Sequence, residues 1–219
     1  MLTLVLLLLA GYLIGSIPFG YVLVRLVRGV DIRQHGSGNI GATNVGRVLG
    51  WKWFPVVFLL DLVKGLVPVG MLLYVWTPAT LEGLTSADVA ALVGMAVILG
   101  HLFPAYLGLR GGKGVATGAG VVAVLAPWPA AVAVGVWLGT FLPFRYVSLA
   151  SIIAAVGLAV AQLIWAGQAA FAPSERAATA MCLAAATLVI VRHRTNMSRL
   201  LAGTEPRVGR RTNPASESA

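Results

Sequence analysis

Charge and cysteine are both scarce in this chain. Only 11% of its 219 residues are charged, 58% are hydrophobic, and the mean hydropathy is +0.89. A water-soluble core of this length has no room for so much apolar surface, so the chain reads as an all-α integral membrane protein. Cys182 is the single cysteine. That excludes an intrachain disulfide and leaves a thiolate metal cluster without ligands; inside its apolar run the residue reads as a buried filler thiol. No basic residue precedes Arg25, so residues 2–24 lack the charged n-region of a cleavable signal peptide. They are long enough to span a bilayer and read as a retained first helix with the N-terminus outside.

The charge that is present is mostly positive: 16 Lys and Arg against 7 Asp and Glu, a formal net charge of +9. These cations sit in short loops between apolar runs and in the tail. That is the positive-inside pattern of a membrane protein and not the face of a nucleic-acid binder, so no nucleic-acid partner is expected. Apolar runs cover residues 2–24, 53–76, 89–107, 115–126, 129–144, 147–165 and 177–191, which predicts about seven transmembrane helices. The fourth is short. A dozen residues rise only ~18 Å against a hydrocarbon core of ~30 Å, so it reads as a half-helix or one arm of a re-entrant hairpin turning at Pro127-Trp128-Pro129.

Charge sidedness favours that turn over one long helix. With the turn, Arg25, Arg28, Arg33, Arg47, Lys52, Arg110, Lys113, Arg145 and the tail arginines share one side, while Glu82, Asp88 and Glu175 share the other. The C-terminus is then cytoplasmic. Gly11, Gly15 and Gly20 in the first run, and the Ala- and Gly-rich last three runs, have the small residues that let membrane helices approach closely. Residues 1–207 read as one transmembrane domain and 208–219 as a disordered polar tail.

Three polar, glycine-rich and basic segments interrupt the apolar runs: 36–47 (GSGNIGATNVGR), 108–114 (GLRGGKG) and 192–207 (RHRTNMSRLLAGTEPR). In the first, Gly36, Gly38, Gly41 and Gly46 permit positive φ, while Ser37, Asn39, Thr43 and Asn44 add short donors. This is the equipment of a phosphate or oxyanion nest, richer than an ordinary polar turn requires. Arg47 adds a permanently charged planar fork suited to phosphate. In the second, Gly111, Gly112, Lys113 and Gly114 precede an apolar helix beginning near Val115, so free N–H groups and the positive end of the helix dipole lie beside a cation. A simple positive-inside loop is the other reading. It is not a Walker A loop, because Leu107 stands where the first glycine belongs and Gly114 where Ser or Thr belongs. In the third, His193, Asn196 and Leu200 share a helical face, Arg192, Arg194 and Arg199 surround them, and Glu205 is the acid able to hold an arginine or lysine in place. A membrane-surface amphipathic segment is the alternative there.

Asp61 and Lys64 lie roughly 13 and 18 Å beyond Lys52 along the second apolar run. Three residues apart, they share a face and can neutralise one another, either as a structural ion pair or on a substrate or proton pathway. His101 closes the third run. It orients the neighbouring loop or acts as a pH-sensitive acid or base.

GSGNIGATNVGR, GHLFPAYLGLRGGKGVAT and HRTNMSRLLAGTEPR together resemble, in order and separation, the three motifs of the acyl-phosphate-dependent glycerol-3-phosphate acyltransferases of bacterial membranes, and the hydrophobic profile matches over nearly all of 1–207. Leu109 stands where an aromatic is common and Arg207 where a lysine is common. The resemblance implies a multi-pass enzyme of the cytoplasmic (inner) membrane with its active site facing the cytoplasm. It implies transfer of a fatty acyl group from acyl phosphate to the 1-hydroxyl of sn-glycerol 3-phosphate, giving lysophosphatidic acid and phosphate at the first step of phospholipid synthesis. It implies no cofactor and no metal, membrane lipid as surroundings, and functional coupling to the enzyme that makes acyl phosphate.

Carried onto this chain, the motifs assign catalysis to Ser37, Arg47, Lys113, His193 and Asn196. Substrate binding falls to Gly36, Gly38, Asn39, Gly41, Thr43, Asn44, Gly111, Gly112, Gly114, Thr117 and Glu205. Arg47 and Lys113 would hold glycerol 3-phosphate, and His193 and Asn196 would orient it. Acyl phosphate is already activated, so positioning and charge stabilisation suffice without a covalent intermediate. The attacking hydroxyl gives its proton to the departing phosphate or to His193, and the phosphate is favoured. No carboxylate follows His35, His101 or His193 at four or five residues, which separates the chain from soluble-type glycerolipid acyltransferases with their HxxxxD pair. A small transporter of an anionic metabolite is the competing class. Its repeated halves and mid-membrane site find no counterpart in this sequence.

Overall fold

A computed structural model describes residues 1–75, 80–81 and 83–209. Glu82, and residues 210–219 of the expected tail, lie outside the described residues. Among the described residues ten α-helices follow one another: α1 Leu2–Ser16, α2 Phe19–Arg28, α3 Ala42–Leu49, α4 Phe54–Gly70, α5 Ser86–Leu102, α6 Val115–Leu125, α7 Pro127–Phe144, α8 Val147–Ala166, α9 Arg176–Arg192 and α10 Arg194–Leu201. A two-residue hairpin, Thr80–Leu81 against Leu84–Thr85, precedes α5.

Five helical stretches are each long and apolar enough to cross a bilayer: Leu2–Arg28, Trp51–Val75, Ser86–Leu107, Pro127–Phe144 and Val147–Ala169. Arg176–Arg192 with Arg194–Leu201, bent by 55°, makes a sixth if the bent pair is one span. The remaining apolar run is α6, 11 residues long. The chain breaks at Ala126 and α7 starts at Pro127, at the prolines where the sequence placed the end of the short fourth run. Proline without an N–H fits this first helical position and cannot extend the helix before it. The first run bends too: Pro18 separates α1 from α2. The Ile17 carbonyl beside the break accepts a hydrogen bond from Lys64 Nζ at 2.9 Å.

Two helix pairs pack through glycines on both sides. Between α1 and α5, a Cβ at Gly15 would collide with the Val97 carbonyl and one at Gly100 with the Tyr12 carbonyl. Between α4 and α6, a Cβ at Gly65 would strike the Thr117 carbonyl and one at Gly120 the Leu62 carbonyl. Lipid tails are as apolar as the side chains, so close backbone approach and dispersion drive this association. α7, α8 and α9 pack in sequence beside these pairs. The main core gathers Val69, Val93, Val97, Ile98, Val121, Leu158 and Met181 from α4, α5, α6, α8 and α9. Cys182 is buried within it.

A smaller cluster of Val24, Ile32, Ile40, Val45, Val57 and Leu107 sits under the first polar segment. It turns a dozen mostly polar residues into a fixed loop, because Ile40 and Val45 are its two apolar anchors. Asp88 and Glu175, two of the acids expected to share a side, stand at one end of the bundle together with Arg176. Asp88 at the start of α5 pairs with Arg176 at 2.6 Å and caps with Thr85, and Glu175 bonds Gln162 nearby. All three polar segments meet at the other end of the bundle. There Val208 N–H donates to the Arg145 carbonyl at 2.9 Å and Arg207 stacks over Tyr146 at 4.8 Å, so the ordered chain reaches past Arg207.

Candidate active site

Asn44 organises the first loop. Its Oδ1 accepts the Ser37 N–H at 2.8 Å, and its Nδ2 donates to the carbonyls of Asn39 at 2.8 Å and His35 at 2.9 Å. At 1% exposure the side chain has no free donor left for a ligand. Asn44, expected among the substrate-binding donors, therefore works by shaping the loop. Gly36 at φ 60° and Gly38 at φ 69° make the turns, and a Cβ at Gly36 would collide with Asn44 Oδ1. Asn39 Oδ1 takes the Gly41 N–H at 2.8 Å. The loop then runs into α3, which carries Thr43 and Arg47 onto the cleft wall.

The second loop is held from both sides. Gly112 N–H donates to the His101 carbonyl at 3.0 Å, and Arg192 donates to the Gly112 carbonyl at 3.0 and 3.2 Å and to the Gly111 carbonyl at 3.4 Å. Arg192 thus clamps the loop while its guanidinium lies 5.4 Å over Phe103. Gly114, at φ 80°, ends the loop and no side chain caps α6. The first-turn N–H groups of α6 therefore open onto the cleft beside Lys113.

The third segment supplies a relay of contacts. Lys113 Nζ donates to Asn196 Oδ1, Asn196 Nδ2 donates to Glu205 Oε1 at 2.7 Å, and Ser148 Oγ donates to the same oxygen at 2.7 Å. Arg199 Nε pairs with Glu205 Oε2 at 2.8 Å. Glu205 therefore holds an arginine, as its place in the sequence suggested, and orients Asn196 as well. His193 Nδ1 faces the Val189 carbonyl at 2.8 Å. A carbonyl only accepts, so Nδ1 carries the proton and Nε2 is the nitrogen open to the cleft.

These groups line one cleft at the end of the bundle: Ser37, Asn39, Gly41, Thr43, Arg47, Lys113, Gly114, His193, Asn196 and Glu205. Arg47 has no hydrogen bond or ion pair among the described residues, so its donors are available. Burial pulls the Lys113 ammonium down to about 8; Glu205 raises it, and Arg199, Arg47 and Arg192 add to the lowering. The Glu205 carboxyl titrates below its usual range because the hydrogen bonds from Ser148, Asn196 and Arg199 outweigh its burial. A cleft lined by Arg47 and Lys113, whose two carboxylates, Glu205 and Asp61, are already engaged by Arg199 and Lys64, is an anion site by charge and by donor geometry.

Several expected residues stand elsewhere. Thr117 is fully buried and does not line the cleft; its backbone packs against Gly65 of α4. Gly38 and Gly111 line a separate shallow pocket with Asp31, Arg33 and Arg110. Gly36 and Gly112 act behind the wall, at the Asn44 amide and the His101 ring. Residues not anticipated are Phe54 and Phe58 of α4, Trp137 of α7, and Ser148 and Ser151 of α8, which complete the lining. Ser148 and Ser151, three apart in an apolar run, carried a readable polar face; the aromatics had no signal against the lipid-facing background. Asp61 and His101 also reach the wall, and Lys64 pairs with Asp61 at 2.6 Å.

The family profile of glycerol-3-phosphate acyltransferase matches residues 5–203. The chain belongs to that family. It is 44% identical over 210 residues to the glycerol-3-phosphate acyltransferase of Synechococcus sp. (strain CC9902), covering 95% of this chain and 97% of the relative. It is 45% identical over 197 residues to that of Aquifex aeolicus (strain VF5), covering 90% and 95%. Its fold matches a crystal structure of PlsY, an integral membrane glycerol 3-phosphate acyltransferase, in the glycerol 3-phosphate form: TM-score 0.81, 42% identity, 94% of this chain and 96% of that one. The lysophosphatidic acid form matches at TM-score 0.79. Membership of this acyltransferase family makes the chain a membrane enzyme of phospholipid biosynthesis, and the transporter reading falls.

Proposed function

We propose that this acyltransferase takes its acyl group from acyl phosphate and delivers it to the 1-hydroxyl of sn-glycerol 3-phosphate, releasing lysophosphatidic acid and phosphate at the cytoplasmic face of the inner membrane. The observation that carries the reading is the meeting of Arg47, Lys113 and the uncapped start of α6 in one cleft whose other side is Phe54, Phe58 and Trp137. Two phosphorylated substrates, one with a hydrocarbon chain, need that combination of cations, N–H donors and apolar wall. A related crystal structure described as a glycerol 3-phosphate form supports the acceptor.

In this reading Arg47 and Lys113 hold the glycerol 3-phosphate phosphate. Asn196, aligned by Glu205, fixes Lys113, and His193 Nε2 orients the acceptor. Ser37, Asn39 and Thr43 face the acyl phosphate with the start of α6, and Gly41 and Gly114 let the backbone approach. The acceptor oxygen attacks the acyl carbon, the ester bond forms, and the anhydride C–O bond breaks. Phosphate leaves with the proton, so no side chain has to become an acyl carrier. Functional coupling to an enzyme that makes acyl phosphate follows from the lability of that donor.

Purified protein in lipid, given palmitoyl phosphate and labelled glycerol 3-phosphate with no metal or nucleotide, is expected to release lysophosphatidate. Palmitoyl-CoA and palmitoyl-acyl carrier protein, offered in parallel, are expected to give none. Turnover with either thioester and not with the phosphate would replace the donor assignment.

A further inference from the structure

At the wall of the cleft lies a buried trio that the reaction scheme does not use: Asp61 and His101, on α4 and α5, which line it, and Lys64 on α4 behind them, each no more than 5% exposed. Lys64 is spoken for. Its ammonium sits 2.6 Å from Asp61 Oδ1, donates to the Ile17 carbonyl, and lies 5.5 Å over the Phe19 ring. Lys64 therefore ties α4 to the Pro18 break, and it cancels the Asp61 charge in a cleft that otherwise suits anions. His101 is different. Its Nδ1 is buried without a hydrogen bond among the described residues and stands 3.6 Å from Asp61 Oδ1.

The other face of His101 carries the second loop. Its carbonyl takes the Gly112 N–H, and its ring lies so close that a Cβ at Gly112 would collide with Nε2. A Cβ at Gly111 would meet the His101 carbonyl and Pro104 Cδ. With Arg192 gripping the Gly111 and Gly112 carbonyls from the opposite side, the loop is clamped between a guanidinium and an imidazole. The residue after the clamp is Lys113.

We propose that His101, aligned by Asp61, is a positioning residue: it sets the height of the second loop and so delivers the Lys113 ammonium to its place in the cleft. The inference rests on Lys113 holding glycerol 3-phosphate, as read above. Asp61 provides a fixed carboxylate toward which the ring nitrogen turns, Lys64 fixes that carboxylate, and Gly112 is small enough to rest on the ring.

The test compares His101→Gln, which keeps a hydrogen-bond donor within reach of Asp61, with His101→Leu, which keeps apolar bulk and loses the donor. His101→Leu is expected to raise the KM for glycerol 3-phosphate by roughly 10- to 100-fold, the scale of an ångström-level misplacement, with the KM for acyl phosphate nearly unchanged. His101→Gln is expected to recover most of that loss. In a Lys113→Ala background His101→Leu is expected to add nothing further, since the group it positions is gone. Additive effects in the double variant, or equal rises in both KM values, would overturn the proposal. Backbone hydrogen exchange over residues 108–114 reports independently of turnover. Faster exchange confined to that loop in His101→Leu, reversed in His101→Gln, supports the clamp even if the donor assignment fails; unchanged exchange sinks it. If His101→Leu does not fold, Gly112→Ala displaces the same ring and is held to the same two readouts.

Discussion

Single residues decide the chemistry, and Lys113 is the one whose state is set by its surroundings. Burial places its ammonium near 8, so the cation is present below that pH and fades above it. We expect kcat/KM for glycerol 3-phosphate to fall as pH rises through about 8, measured in pH-rate profiles, and Lys113→Arg to flatten that fall because a guanidinium stays charged. Glu205 raises Lys113; Glu205→Gln is expected to move the falling limb to lower pH and to weaken glycerol 3-phosphate binding as Arg199 loses its carboxylate partner while an amide oxygen remains for Asn196. Lys113→Ala is expected to cost about 2 kcal/mol or more of that binding, read from KM. His193→Gln is expected to raise the same KM while turnover at saturation survives. Loss of turnover with binding intact would make His193 the base. At this scale the sequence was legible where charge and spacing mattered: Arg47, Lys113, His193, Asn196 and Glu205 all reach the cleft. It was not legible where donors are consumed internally. Nothing in the string says that Asn44 spends its whole amide on its own loop, or that Thr117 does not line the cleft.

Elements were readable by their hydrophobic runs and punctuation. Pro127 ended the short fourth run, and Pro18 bent the first. The 55° bend between α9 and α10 was not visible, because no proline or glycine marks it. The glycine-paired contact of α4 with α6 carries both Asp61 and the start of α6, so it couples packing to activity. Gly120→Val is expected to destabilise by at least about 2 kcal/mol through collision with the Leu62 carbonyl and to lower turnover. Gly139→Val, with open space around it, is expected to change neither; thermal unfolding in detergent and specific activity read the pair. Asn44→Ala is expected to lower the melting temperature and raise both KM values, since it strands a buried N–H and its partner carbonyls.

For the molecule as a whole, the sidedness of charge makes a topological prediction. In a Cys182→Ala background, cysteines placed at 37 and 113 are expected to react with an impermeant thiol reagent from the cytoplasmic side, and one at 175 from the outer side. Reaction of 37 and 113 from opposite sides would dissolve the shared cleft. The architecture also carries the site past these helices. The described helices are complete by Leu201, yet the carboxylate that aligns Asn196 and restrains Arg199 is Glu205, and the segment behind it is fastened at Val208 to Arg145. A chain cut short before Glu205 would keep these helices and their cations but lose the carboxylate that seats Asn196 and Arg199, so catalytic competence waits on a few residues beyond the last of these helices.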